Sequence, residues 1–205
     1  MTKDIDSVVD HRDADVVWIG LKVFVHEMGK YLAAVKAVGE IQQGIGKKIL
    51  IENEYLVLAE EAIWRQLVLN ITKFFDTEKT GKYYNCSLKM LKTLCLEEKN
   101  LNKFPKGQDD PLIRAIDTMY DKYNSTITLY VRNKKVAHHD LNDLFSPSIP
   151  YILFSDIEEL VNESTDLVYK IGIKLWGIPL EYPSISAENY KEAILRLIND
   201  EVDTV

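Results

Sequence analysis

The sequence predicts an all-α fold, an antiparallel bundle of four to five main helices followed by a short C-terminal helix. Three observations predict it. Apolar residues recur at three- and four-residue steps through several long segments. Glycine, proline and polar clusters separate those segments. No alternating β-rich stretch, internal repeat or low-complexity tract lies between them. The expected organisation is one domain over residues 1–205, with the bundle over about 16–176 and a helical appendage over about 177–205.

Val17, Leu21, Phe24, Met28, Leu32, Val35 and Val38 mark one face of a first helix, predicted to stop near Gly39, with Gly44 and Gly46 in a turn. A second helix is predicted from about Lys47 to Phe75. Its apolar positions (Ile51, Tyr55, Leu58, Ala62, Trp64, Leu67, Ile71, Phe74) spread over a wide arc, as in a central helix covered on several sides. Asp76–Asn85, with Thr80-Gly81 and many polar residues, is predicted as a loop. A shorter helix follows from Ser87 to about Lys99, with Leu88, Leu91 and Cys95 inward, and Phe104-Pro105-Lys106-Gly107 breaks the chain again. Asp110 has the chemistry of an N-cap, and Pro111 follows at the first helical position, where its missing N–H costs nothing. Leu112, Ile116, Tyr120, Tyr123, Ile127 and Tyr130 mark a face of a long fourth helix. After turn residues Ser146–Pro150, Ser155-Asp156-Ile157-Glu158 has the form of a capping box opening a helix that ends near Gly177. Pro179 and Pro183 precede a last short helix over about Ala187–Asp200.

The 205 residues are 46% hydrophobic and 28% charged, enough for one substantial core. The longest uncharged run, Leu144–Ser155, contains Pro147 and Pro150, so no membrane span is predicted. The acidic Met1–Asp15 stretch lacks the apolar region of a secretory signal. Cys86 and Cys95 are the only cysteines and form no C-x-x-C pair, which points to a reducing, cytoplasmic setting without a zinc site or disulfide scaffold. Lys+Arg 25 against Asp+Glu 32 gives a net charge of −7, and the pI is about 5.2. The charge is uneven. Pro111–His139 holds Arg114, Lys122, Arg132, Lys134 and Lys135 against Asp117 and Asp121, a net of +3, whereas Ser155–Val205 has four cations and eleven anions. So small a basic segment disfavours extended duplex binding and leaves open a short contact with a single strand or a loop.

Candidate chemistry concentrates in Arg132-Asn133-Lys134-Lys135-Val136-Ala137-His138-His139. On a continuous helix Arg132 and His139 are separated by about 700° and nearly share a face, while His138 sits about 100° away. The plain alternative is that these cations complement a helix C-terminus. His11, in the acidic leader, reads as solvated, and His26, off the first helix's stripe, as a surface residue. Glu60-Glu61 and Glu158-Glu159 read as solvated faces, since adjacent helical residues diverge by about 100°. The run Tyr120, Tyr123, Tyr130 could stack bases, but at helical spacing it reads as core. Gly44-Ile45-Gly46 is too short for a nucleotide loop, and no Walker A, Gly-x-Ser-x-Gly or His-Glu-x-x-His motif occurs.

Arg132 followed by Asn133, then Ala137-His138, resembles the signature of the HEPN superfamily, in which an Arg and a polar residue precede a His by four to six positions. Phe74-Phe75-Asp76-Thr77-Glu78-Lys79-Thr80-Gly81 and Asn85-Cys86-Ser87-Leu88 extend the likeness to its abortive-infection AbiU-type branch, over roughly Val16–Trp176. The doubled histidine and the acidic balance depart from the family pattern. The resemblance implies a HEPN-like helical bundle that forms a homodimer with two Arg–His pairs in one cleft. It implies a metal-independent endoribonuclease without cofactors, acting on single-stranded or looped RNA as a toxin or phage-defence effector and held in check by an antitoxin or other protein partner. Carried onto this chain, His138 is the general acid/base, Arg132 the phosphate clamp and Asn133 a polar orienter. Lys134 and Lys135 attract the strand, and His139 is the reserve base. Two other readings are a catalytically silent HEPN-like module that binds nucleotide or protein, and a plain helical homodimer whose Arg–His segment is structural.

Overall fold

The computed structural model describes residues 13–45, 54–123, 154–181 and 185–202. Six α-helices are found among them: α1 (Ala14–Ile45), α2 (Glu54–Phe74), α3 (Leu88–Cys95), α4 (Pro111–Tyr123), α5 (Phe154–Trp176) and α6 (Ala187–Val202). Between α2 and α3 lies a small hairpin, β1 (Lys79–Thr80) and β2 (Tyr83–Tyr84). Short 3-10 turns at Glu98–Asn100 and Gly107–Asp109 connect α3 to α4. The architecture is the expected all-α bundle.

Helix α1 is its axis. It packs against α2, α3, α5 and α6. Val17, Trp18, Leu21, Val25, Met28, Leu32, Val35 and Val38 are all buried along it. Side-chain pairing sets the helix directions. Asp15 accepts from the Trp176 indole at 3.1 Å, while Lys36 reaches Glu158 at 3.3 Å, so α1 and α5 run antiparallel. Asp110 pairs with Lys174 and Tyr123 with Glu163, so α4 and α5 are antiparallel too. Helix α6 follows α1 in the same sense, with Ile185 against Gly29 and Lys191 3.4 Å from Glu40.

Two glycines allow close approach. The Trp18 indole, 1% exposed, lies over Gly172 of α5, where a Cβ would come 2.4 Å from a ring carbon. Its N–H donates to the Val168 carbonyl at 2.7 Å, which satisfies the one polar atom of a deeply buried ring. At Gly20, a Cβ would meet the Cys86 thiol at 2.3 Å, and that thiol donates to the Val17 carbonyl at 3.4 Å. This contact seats the start of α3 on α1.

Several expectations are corrected. Helix α1 does not stop at Gly39 but continues to Ile45, taking in Gly44. A glycine in a helix costs about 1 kcal/mol relative to alanine, and burial of Val38 and Ile41 on either side outweighs that. Among the described residues of α2, Leu58 is 60% exposed while Leu67, Ile71 and Phe74 enter the core, so this helix is covered on one side rather than several. Asp76–Asn85 is not a plain loop. Gly81, with φ +61°, and Lys82 form a two-residue turn that pairs Thr80 with Tyr83 and Lys79 with Tyr84. Helix α3 ends at Cys95 rather than Lys99. Helix α5 already includes Phe154, and Glu158 reaches across to Lys36 instead of back to Ser155, so the capping-box reading fails. Glu158 and Glu159 lie on the solvated surface as expected, where Glu159 also bonds Lys122 of α4 at 2.8 Å. Gly46–Asn53, Ile127, Tyr130, Ser146–Pro150 and Pro183 lie outside the described residues.

Candidate functional site

Arg132, Asn133, Lys134, Lys135, His138 and His139 all lie in the span 124–153, outside the described residues, as does His11. The structure describes the frame that holds the two ends of that span.

Helix α4 leads into it. Its first turn is fixed as the sequence predicts, with the Asp110 carboxylate accepting the Leu112 N–H at 3.1 Å and Pro111 following as the first helical residue. Asp110 is only 2% exposed and also pairs with Lys174 of α5, whose ammonium lies 4.9 Å from the Phe104 ring. Ile113, Ile116, Met119 and Tyr123 then bury one face. At the far end, the Tyr120 hydroxyl donates to the Phe75 carbonyl and lies 2.8 Å from that of Asp76, capping the end of α2. Phe75 packs edge-on to Tyr120 with ring centroids 5.7 Å apart and contacts Tyr123 at 6.3 Å. Both tyrosines therefore serve the core, as the spacing predicts.

Helix α5 leads out of the span. Near its start, Lys122 bonds Glu159 at 2.8 Å and Glu163 at 2.9 Å, and the Tyr123 hydroxyl donates to the other Glu163 oxygen at 2.9 Å. The last turn of α4 and the opening of α5 are thus tied side by side. Bonding to these carboxylates, Glu159 foremost, raises the pKa of Lys122, while Lys122 lowers that of Glu159. Burial pushes Tyr120 up to about 12 and, as the largest cause, raises Tyr123. Both hydroxyls stay protonated at neutral pH, so neither acts as a phenolate base.

Other chemical groups are scattered. His26 is half-buried on α1. Burial raises the Cys86 thiol to about 11 and Cys95 to about 12, so neither is a ready nucleophile. Among the described residues no three His, Cys, Asp or Glu side chains gather as metal ligands. A shallow groove of about 260 Å³ runs between α1 and α5, with Gly29, Lys36, Glu158 and Ile185 on its wall.

The Phe74–Gly81 and Asn85–Leu88 segments form one hydrogen-bonded unit. Asn85 donates from its amide to the Thr77 carbonyl (2.9 Å) and the Thr80 hydroxyl (2.8 Å), and its backbone N–H donates to Glu78 (2.9 Å). Ser87 N-caps α3 by accepting the Met90 N–H at 3.2 Å. The Thr93 hydroxyl of α3 reaches the Glu78 carboxylate at 2.8 Å. What the sequence did not single out is the exposed cluster on this unit: Tyr83 and Tyr84 with Lys79, Lys82 and the adjoining Lys89, against Asp76 and Glu78. In comparisons with protein-family models, curated proteins and solved structures, nothing matches the chain.

Proposed function

We propose that the chain is a metal-independent endoribonuclease whose site is the Arg132–Asn133 and His138 segment, completed at a two-fold contact between two copies. The observation that carries this reading is the six-residue spacing of a guanidinium and an imidazole, together with the HEPN-like, AbiU-type pattern of residues 74–88. RNA brings its own nucleophile, the 2′-OH, so the protein needs only to move protons and stabilise charge. His138 takes the 2′-OH proton or supplies one to the leaving 5′-oxygen, because imidazole titrates near neutral pH. Arg132 holds the phosphate as negative charge builds on it. Asn133 orients, Lys134 and Lys135 draw in the strand, and His139 is the alternative base. The frame suits a site in this span, since Lys122, Tyr123, Glu159 and Glu163 fix its two stems against each other. In this reading the protein works in the cytoplasm as a toxin or phage-defence effector, restrained by an antitoxin or another protein partner.

The test is incubation of purified protein with single-stranded RNA in EDTA. Products should carry 2′,3′-cyclic phosphate ends, and cleavage should be lost in Arg132→Ala and His138→Ala variants that keep the wild-type thermal midpoint. His139→Ala separates the two histidines. Absence of cleavage on every RNA tried, with tight binding of a nucleotide or protein instead, makes the chain a silent binding module. A strictly monomeric mass at micromolar concentration removes the shared cleft.

A further inference from the structure

The hairpin β1–β2 spends its two largest side chains on solvent. Tyr83 is 68% exposed and Tyr84 47% exposed. Each is paired with a lysine, Lys82 lying 5.3 Å from the Tyr83 ring and Lys79 5.1 Å from the Tyr84 ring. Neighbouring strand residues point to opposite faces, so the ribbon presents an aromatic–ammonium pair on either side of a Gly81-Lys82 tip. Its shape is fixed beforehand by Asn85, Thr77 and the bond from Thr93 to Glu78. Lys89, exposed on α3, sits one turn before Thr93 and hence on the helix face turned to the hairpin.

We infer that this hairpin is a docking platform for single-stranded nucleic acid: bases stack on Tyr83 and Tyr84 while Lys79, Lys82 and Lys89 neutralise the flanking phosphates. On the hairpin and the start of α3, Lys79, Lys82 and Lys89 outnumber Asp76 and Glu78, a net of +1 against −7 for the whole chain, so a polyanion is drawn here more than to the acidic remainder. A strand crossing the tip meets one ring on each side. A phosphate there recruits the ammonium groups away from the rings and frees their faces for bases. An anionic membrane is a poorer fit, because the tip itself is Thr80-Gly81-Lys82 and lacks the apolar side chain with which a membrane wedge leads. The assignment adds a second surface to the RNA reading of Arg132–His138 and shares with it only the class of ligand.

Single-stranded DNA separates the two, since it can stack and bind but has no 2′-OH to be cleaved. The full-length chain is titrated into a fluorescent 12-nucleotide oligothymidylate and followed by polarisation. The Tyr83→Leu/Tyr84→Leu variant should bind at least ~10-fold more weakly, on a stacking worth per base that corresponds to about that factor or more. The Lys79→Gln/Lys82→Gln variant should lower the slope of log affinity against log salt by about 1.4, as for two single-strand phosphate contacts. Thermal midpoints of both variants should match wild type. Unchanged oligonucleotide affinity in both variants, or no binding by the wild type, overturns the inference. So does binding to phosphatidylserine vesicles that exceeds binding to the strand and is lost with the tyrosines. Strand binding without RNA cleavage would remove the ribonuclease reading and leave this one intact; cleavage with an inert hairpin would do the reverse.

Discussion

Replacing Gly172 by alanine sets two opposite effects against each other at one buried contact. In the interior of α5 the alanine gains about 1 kcal/mol of helix propensity. Its methyl, however, would lie 2.4, 2.5 and 2.7 Å from three atoms of the Trp18 ring. That ring cannot yield like the end of a flexible chain, since it is 1% exposed, bonded to the Val168 carbonyl and packed at a tilt against Trp176 with centroids 5.0 Å apart. Overpacking of this kind costs about 1–3 kcal/mol, and pulling the indole N–H off its carbonyl adds about 1–3 kcal/mol. The net expectation is a loss of about 3 kcal/mol, a fall of roughly 6–12 °C in the thermal midpoint for a chain of this size. Gly39→Ala is the internal control, for nothing lies within 4 Å of the position its Cβ would take. There the propensity gain stands alone and the midpoint should rise by about 2–4 °C. Urea and thermal unfolding followed by circular dichroism and tryptophan fluorescence read both variants. If Gly172→Ala is as stabilising as Gly39→Ala, the Trp18–Gly172 contact does not govern the packing of α1 on α5. In a Trp18→Leu background the penalty at 172 should largely vanish, which a double-mutant cycle measures.

Asp110→Ala removes an N-cap and leaves Lys174 without its buried partner, and urea denaturation should show a loss of about 2–4 kcal/mol; a change under 1 kcal/mol would deny the pair its structural role. Tyr120→Phe strips the cap from the Phe75 and Asp76 carbonyls and should cost about 1 kcal/mol, with faster amide exchange in the hairpin; unaltered exchange there would count against the cap. Alkaline pH should destabilise the fold. Burial raises Cys86 from 9.0 to about 11, Cys95 from 9.0 to about 12 and Tyr120 from 10.0 to about 12, so above pH 9 the unfolded chain holds fewer protons than the folded one. Stability is therefore unaffected by these groups below pH 9 and declines from there towards pH 11–12, and a urea midpoint flat from pH 8 to 11 would contradict the burial. Both thiols should resist a disulfide reagent at pH 8 until denaturant is added.

What was legible in the sequence follows from which signals are local. Asp110-Pro111 specifies a helix start within three residues, and the structure has it there. The Val17–Val38 stripe marks a buried face by period alone, and those positions are buried except Phe24, which is half-buried. Gly39 misled because its local cost is small beside the burial around it, which depends on residues far along the chain. The hairpin was hidden because two-residue strands are too short to show alternation. Gly81-Lys82 was its only cue, and its pairing is stabilised by Asn85 and Thr93 from outside. Ser155 and Glu158 fit a capping box by spacing, yet Glu158 finds a distant cation on α1 instead. Tyr83, Tyr84 and their lysines carry no sequence signal of their own, because only the turn at Gly81-Lys82 brings them together. Of the Arg132–His139 site, spacing and resemblance supply residue types and roles, while the frame of α4 and α5 supplies the place where its stems enter and leave.

Glu158 and Glu159 stand next to each other on α5 and grip different neighbours, Lys36 of α1 and Lys122 of α4. Exposed pairs of this kind add little to stability. Their geometry acts instead like the two bits of a key. Were α5 to roll about its axis by a single residue, both carboxylates would leave their locks together, and no other roll restores the two at once. The buried face of α5 sets the azimuth of the helix that leads out of the Arg–His span, and this pair of surface charges is matched to that one bearing.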